Sequence, residues 1–235
     1  MTLQNFDILI KVIVFVFAIS VHESAHAWMA NLRGDPTARM LGRITLNPLK
    51  HIDPVGTIVL PVIALYYQVP ILGWAKPTPV DPRNFKNHVL DDILTSVVGP
   101  VSNFVIATGA LVVLVAISHS SDLGRSMIDT IANRSVYQDH LEILANQSNS
   151  FLMPAILITY ELMFINIILG VFNLIPVPPL DGSHVLRHFL PEAVRRAYDT
   201  MGWIALLALV YFGGNFLGRL IYPVVDLFNS VLTRN

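Results

Sequence analysis

Two histidines and a glutamate near the amino terminus follow the pattern H-E-x-x-H. His22 and His26 are four residues apart, so on a helix their imidazole rings share one face and can bind the same metal ion. Glu23, one position along, can act as general base on a water bound to that ion. The chemistry that this spacing predicts is metal-assisted hydrolysis.

The H-E-x-x-H pattern lies inside an apolar run, residues 7–32, which is long enough to cross a bilayer. Ionisable side chains at membrane depth are costly and therefore indicate a functional site. The competing interpretation is a buried polar cluster that holds helices together. The elements that position this pattern must be membrane helices in either case.

The composition predicts a polytopic membrane protein. The chain has 235 residues, of which 54% are hydrophobic and 13% charged, whereas a soluble domain carries about a quarter charged residues. The absence of cysteine excludes disulfides, thiolate ligands and a cysteine nucleophile. A net charge of −1 gives no reason to expect a nucleic-acid partner. No basic region or cleavage site of a signal peptide precedes the first apolar run, so we expect a retained membrane helix.

Five apolar segments predict an all-α fold with about five to six membrane segments. They are residues 7–32, 55–72, 93–118, 151–175 and 201–222. We expect a single intramembrane domain over residues 1–235, with a catalytic core at about 7–190. No internal repeat interrupts this order.

Two stretches depart from the simple helical pattern. Residues 37–46 alternate with period two, which predicts a short β-strand at the membrane edge, in a hairpin with the extended, proline-rich residues 74–80. The strand edge could capture an unwound substrate by strand addition. Residues 55–72 contain Pro61 and Pro70, which favour a re-entrant segment over a full span.

The distribution of lysine and arginine predicts the topology. Residues 33–54, 74–92 and 182–199 are basic, whereas residues 119–150 contain only two arginines against four acids. The positive-inside rule places the three basic sections in the cytoplasm, and the amino terminus and residues 119–150 outside. A re-entrant segment at 55–72 keeps the first two basic sections on one side of the membrane.

A catalytic zinc needs a third protein ligand and an open position for water. Asp181 follows the proline-rich end of the fourth apolar segment and, with this topology, can reach the depth of His22 and His26. The rival ligands are His184 and His188, which are also four residues apart but lie in a basic segment that we expect at the surface. The residues themselves favour Asp181 without removing the rival pair.

Three motifs in this order resemble the site-2 protease family of intramembrane zinc metalloproteases. They are HESAH in one apolar helix, GPVSN near the start of another, and NLIPVPPLDG at the end of a third. The resemblance covers about residues 15–190 and implies one catalytic Zn²⁺ held by His22, His26 and Asp181, with Glu23 as general base. It also implies that Asn173 positions substrate or helps to hold the oxyanion, and Asn103 is a second candidate for that work.

The function implied by this resemblance is hydrolysis of peptide bonds in or near transmembrane segments of membrane-protein substrates. The resemblance is to the compact type, without a PDZ insert or a regulatory C-terminal domain. We expect a multi-pass protein of a prokaryotic inner membrane, embedded in the lipid bilayer, with the site open to the cytoplasmic side. The alternative is a zinc-binding membrane protein without peptidase activity, a transporter or scaffold. Gly214 and Gly218 fit a G-x-x-x-G face, a weak indication of a homodimer.

Overall fold

A computed structural model of the chain describes residues 3–59, 63, 74–132 and 151–233, and the secondary structure in these residues is helical. The α-helices are α1 (Leu3–Arg33), α2 (Thr37–Met40), α3 (His88–Ser120), α4 (Asp122–Ala132), α5 (Leu152–Asn173), α6 (Asp181–Arg187), α7 (Glu192–Phe212) and α8 (Gly214–Thr233). Shorter turns are the 3₁₀ helices Pro48–Lys50 and Pro82–Asn84 and the π-helix Pro54–Val59. The all-α prediction is confirmed for this part of the chain.

Four helices within the described residues are long and apolar enough to cross a membrane. These spans are Ile8–Arg33, His88–Ser120, Leu152–Asn173 and Gly214–Thr233. The prediction of an integral membrane protein is confirmed, but the count of five to six segments is not. The predicted segment 201–222 is divided at Gly213, where α7 ends and α8 begins, because glycine is a poor helix former.

The predicted β-strand at residues 37–46 is wrong. The chain forms the short helix α2 there, and the carboxylate of Asp35, two residues before the helix, accepts a hydrogen bond from the N–H of Thr37 at 3.1 Å. Gly42 then turns the backbone with φ of +67°, and its N–H donates back to the helix at 2.9 Å. These local hydrogen bonds prevail because an alternating pattern forms a strand only beside a partner strand, which the described residues do not provide. The edge proposed for capturing substrate is therefore absent from this stretch.

Residues 74–80, which we call the strap, form neither a helix nor the predicted hairpin strand. The N–H of Trp74 donates to the carbonyl of Gly56 at 3.2 Å, and the N–H of Lys76 donates to the carbonyl of His51 at 2.8 Å. Alternate residues of an extended chain face the same side. The strap is thus fastened at every second residue to turns rather than to a strand.

The predicted re-entrant segment lies mostly outside the described residues. Of residues 55–72, the structure describes 55–59 and 63. The π-helix Pro54–Val59 begins where Asp53 Oδ1 accepts hydrogen bonds from the N–H groups of Val55 and Gly56, at 3.0 and 2.7 Å. A re-entrant path for the remainder stays a prediction.

The chain divides into two compact units. One comprises Met1–Phe15, Phe104–Ile168 and Ile221–Asn235, and the other comprises Val16–Asn103 and Leu169–Leu220. All the candidate site residues fall in the second unit. An apolar cluster in that unit, built on Ile175, Leu180 and Leu206, packs the proline-rich connection after α5 against α7. This packing fixes the connection that leads to Asp181.

Candidate metal centre

Helix α1 brings the two histidines together. His22 and His26 lie in its uninterrupted second half and are buried, and their Nε2 atoms are 3.0 Å apart. The segment between them contains neither glycine nor proline, so the helical repeat places both rings on one face. The pair expected from the H-E-x-x-H spacing is therefore present.

Asp181 completes a group of three possible metal ligands. It is the first residue of α6, and its carboxylate oxygens lie 3.1 Å from Nε2 of His22 and 3.4 Å from Nε2 of His26. One ligand atom from each of the three residues lies within 4.8 Å of the others. Gly182 makes this approach possible, since a Cβ there would lie 2.2 Å from the carbonyl oxygen of Leu174.

Hydrogen bonds at the far side of each ring orient the two histidines. Nδ1 of His22 donates to Oδ1 of Asn103 at 2.7 Å, and Nδ1 of His26 donates to the backbone oxygen of Thr95 at 2.6 Å. Both partners are acceptors, so each neutral ring carries its hydrogen on Nδ1 and its lone pair on Nε2. Metal-binding histidines are held in this way in proteins.

The three ligand atoms fit a zinc ion. With both hydrogens on Nδ1, the Nε2 atoms of His22 and His26 and the carboxylate of Asp181 face one another as acceptors at 3.0–3.4 Å. A cation between them removes that repulsion. Imidazole nitrogen and carboxylate oxygen are zinc ligands, and tetrahedral bonds of zinc require ligand atoms about 3.3 Å apart.

Helix α3 supplies the space beside the ligands as well as one orienting group. A Cβ at Gly99 would lie 2.3 Å from Nε2 of His26 and 2.7 Å from Cε1 of His22. Asn103, one turn further along and fully buried, contacts His22. The GPVSN motif thus provides room at the ligand atoms and a partner for one ring. The sequence indicates Asn103 as a candidate for contact with substrate, but it gives no comparable indication for Gly99 or Thr95.

The carboxylate of Glu23 is held by Thr78, which is not among the predicted site residues. Oε2 of Glu23 accepts hydrogen bonds from the N–H of Thr78 at 2.9 Å and from its hydroxyl at 2.7 Å. Thr78 belongs to the strap, and Pro77 and Pro79 flank it. These prolines were the signal in the sequence, since they fix the backbone on both sides of one donor.

The rival histidines lie elsewhere in the same unit. Nε2 of His188 is 2.7 Å from Oδ2 of Asp92, and Nδ1 of His184 is 3.6 Å from Oδ1 of the same carboxylate. In the described part of the chain, neither belongs to a group of three metal ligands. The structure therefore brings Asp181, rather than the rival pair, to the two histidines of α1.

The side chain of Asn173 binds the backbone of its own helix. Its Nδ2 donates to the carbonyl of Leu169 at 3.1 Å, at the end of α5. The structure does not place its amide in contact with His22, His26 or Asp181. A role for Asn173 toward substrate stays a prediction.

Comparison with known proteins gives the family. Residues 10–212 match the sequence profile of peptidase family M50. The chain belongs to peptidase family M50. This confirms the resemblance to site-2 proteases and identifies the chain as a zinc metallopeptidase with membrane-spanning helices.

Two bacterial relatives agree with this assignment. The chain is 36% identical over 201 residues to YwhC of Bacillus subtilis, covering 84% of this chain and 78% of the relative. It is 24% identical over 219 residues to Rip2 of Mycolicibacterium smegmatis, covering 90% and 69%. Both relatives are provisionally named zinc metalloproteases. No solved structure matches the chain significantly.

Proposed function

We propose that this member of family M50 cleaves peptide bonds in or near transmembrane segments of membrane-protein substrates. The observation that carries the proposal is the meeting of His22, His26 and Asp181 within 4.8 Å, with both histidines in a helix long and apolar enough to span a membrane. A ligand set at that place serves a substrate that is itself in the membrane.

His22, His26 and Asp181 are the proposed ligands of the catalytic Zn²⁺. When bound, the ion polarises the scissile carbonyl and makes water a stronger acid. Asn103 and the backbone of Thr95 keep the Nε2 lone pairs of the two rings directed at the ion. The role of Asn103 that these contacts support is therefore the positioning of His22.

Glu23 is the proposed general base. It follows the first ligand in α1, takes the proton of the attacking water and passes it to the leaving amine. A helical substrate hides its carbonyl groups in intrahelical hydrogen bonds, so the segment to be cut must unwind before attack. Asn173 stays a candidate for holding the unwound backbone or the oxyanion, by reorienting its amide away from Leu169.

The proposed orientation opens the site to the cytoplasm of a prokaryotic cell. With the four described spans, the basic residues 33–54 and 74–92 both lie between the first two spans, and 182–199 follow the third span. All three sections then face one side, as the positive-inside rule requires.

The chain has no cysteine, so single cysteines introduced at Arg83 and at Ser126 can be labelled with an impermeant maleimide. Labelling of both from the same side would overturn this topology.

Glu23→Gln in a reconstituted membrane tests the function. Wild type and variant are placed in liposomes with single-span membrane proteins, and new peptide termini are mapped by mass spectrometry. We expect wild type to cut in or near apolar spans, and Glu23→Gln to keep its zinc while cleavage falls by about 10²- to 10⁴-fold. His22→Ala should lose zinc and cleavage together. Cleavage by Glu23→Gln at the wild-type rate would overturn the proposal.

A further inference from the structure

We propose that Thr78 is a positioning residue that holds the general base in place; this inference rests on the role proposed for Glu23. The N–H of Thr78 donates to Oε2 of Glu23 at 2.9 Å, and its hydroxyl lies 2.7 Å from the same oxygen. The hydroxyl is also 3.0 Å from the backbone oxygen of Glu23. One residue therefore contacts both the carboxylate and the backbone of the glutamate.

The local sequence presents Thr78 as a donor. Proline fixes its own φ and has no N–H, and it also keeps the preceding residue out of the helical region. In Pro77-Thr78-Pro79 the backbone is thus extended before folding, and only the central residue can donate from its N–H. The conformational cost of presenting that donor to Glu23 is small for this reason.

The strap is fastened on the side that faces Glu23. In addition to the backbone bonds of Trp74 and Lys76, the hydroxyl of Thr57 donates to the carbonyl of Trp74 at 2.7 Å. The guanidinium of Arg43 donates to the carbonyl of Lys76 at 3.3 Å. Thr78 is the next alternate residue in this series, so the segment that carries it is held by several anchors that do not involve Glu23.

Holding one carboxylate oxygen matters for proton transfer. A glutamate side chain has three rotatable bonds, and misplacement of a reacting group by about 1 Å can cost about a hundredfold in rate. Hydrogen bonds to an ionised acceptor are stronger than those to a neutral one. The contacts of Thr78 occupy Oε2, and within the described part of the chain they leave Oε1 as the oxygen for the attacking water.

The test replaces the hydroxyl and keeps the shape and the N–H. For Thr78→Val we expect kcat to fall by about tenfold to a hundredfold, the effect of one hydrogen bond to a charged group. KM and the zinc content should stay at the wild-type level, because the hydroxyl of Thr78 contacts Glu23 and none of the proposed zinc ligands. Thr78→Ser, which restores the donor, should return kcat to within about threefold of wild type.

Thr57→Val is the matched control. It removes the other threonine hydroxyl that binds the strap but does not contact Glu23. We expect it to lower the melting temperature at least as much as Thr78→Val does, while kcat falls by less than about threefold. An equal loss of kcat in both variants would show that strap stability alone matters, and would overturn the positioning role.

The outcomes separate this inference from the proposed function. If Glu23→Gln is inactive but Thr78→Val keeps the wild-type kcat, the positioning role of Thr78 is wrong, whereas Glu23 keeps its role as general base. If Glu23→Gln stays active, the proposed base is wrong. Thr78→Val could instead lose zinc or unfold. If Thr78→Ser then regains activity only because zinc or stability is restored, the positioning role is also wrong.

Discussion

Gly99 passes so close to His26 that a Cβ at residue 99 would lie 2.3 Å from the Nε2 atom. His26 cannot swing aside without cost, because its other ring nitrogen is held by the carbonyl of Thr95 at 2.6 Å. The space beside the candidate ligands is therefore a property of one glycine in α3. In the sequence, Gly99 resembles a helix-weakening residue before a proline; in the structure, it lies against the Nε2 atom of a candidate ligand.

Gly99→Ala should weaken zinc binding. The added methyl group displaces His26 or moves α3 away from α1, and either change spoils the ligand spacing. We expect the zinc affinity, measured by competition with a chromogenic chelator, to fall by at least about tenfold to a hundredfold. Gly109→Ala is the control on the same helix, since a Cβ there meets nothing within 4 Å. It should keep zinc and gain up to about 1 kcal/mol in stability.

Asn103→Leu tests the orientation of the other ring. The change has similar volume but removes the oxygen that accepts from Nδ1 of His22 at 2.7 Å. The ring can then rotate or change tautomer, so we expect the zinc affinity to fall by about tenfold to a hundredfold. Thr108→Val, an exposed position on the same helix, should leave the affinity unchanged. Wild-type zinc binding in Asn103→Leu would show that His22 does not need this partner.

The ligand geometry could be predicted from sequence where it depends on local spacing. The helical repeat brings His22 and His26 to one face whatever the rest of the fold does. Asp181 could be proposed because few acidic residues follow a proline-broken apolar segment at the right depth. Three of the four described spans were also accessible, since length and apolar composition decide them, whereas the fourth, Gly214–Thr233, overlaps the predicted segment 201–222 only in part.

The remaining features depend on contacts between distant residues. Thr78 lies 55 positions from Glu23, and Asn103 lies 81 positions from His22. The two prolines beside Thr78 mark it as a donor, but no local pattern indicates the partner of either residue. The strand predicted at 37–46 failed for a different reason. An alternating pattern does not register that Asp35 accepts a hydrogen bond from the first N–H of a short helix or that Gly42 turns the chain. Local hydrogen bonding prevailed over periodicity there.

His188→Ala should loosen the segment that carries Asp181. Nε2 of His188 is 2.7 Å from Oδ2 of the buried Asp92, which links the end of α6 to α3. Removal of the His188 imidazole leaves the carboxylate of Asp92 with weaker hydrogen-bond partners. We therefore expect a loss of about 1–3 kcal/mol in stability, measured by thermal unfolding. Zinc affinity should fall by less than in Gly99→Ala, because no ligand is displaced directly. His119→Ala, at an exposed position of α3, should change neither the stability nor the zinc affinity. This account would be contradicted if His188→Ala lowered the zinc affinity as much as Gly99→Ala does.

Asp35 should give the fold a stability that depends on pH. Its buried carboxylate accepts hydrogen bonds from Thr37, from the N–H of Asp81 at 2.8 Å and from Nδ2 of Asn84 at 2.8 Å. Burial raises the pKa of Asp35, but these hydrogen bonds lower it more, so the folded-state pKa lies below the ordinary value. A depressed pKa contributes stability above the unfolded value of about 3.9. That stability is lost as the pH falls through the folded-state pKa.

Asp35→Asn measures this contribution. The amide cannot accept all four hydrogen bonds, so at pH 7 we expect the variant to be about 1–3 kcal/mol less stable than wild type. The difference should stay constant down to about pH 4 and shrink below it, as the wild-type carboxylate becomes protonated. Thermal unfolding with a chelator present keeps metal loss out of the comparison. Arg83 lowers the pKa of Asp81 to about 2, and the Asp35→Asn change leaves Arg83 in place, so we expect the titration of Asp81 to cancel in the difference. A gap that widens as the pH falls would contradict the prediction, because it would require a raised pKa at Asp35.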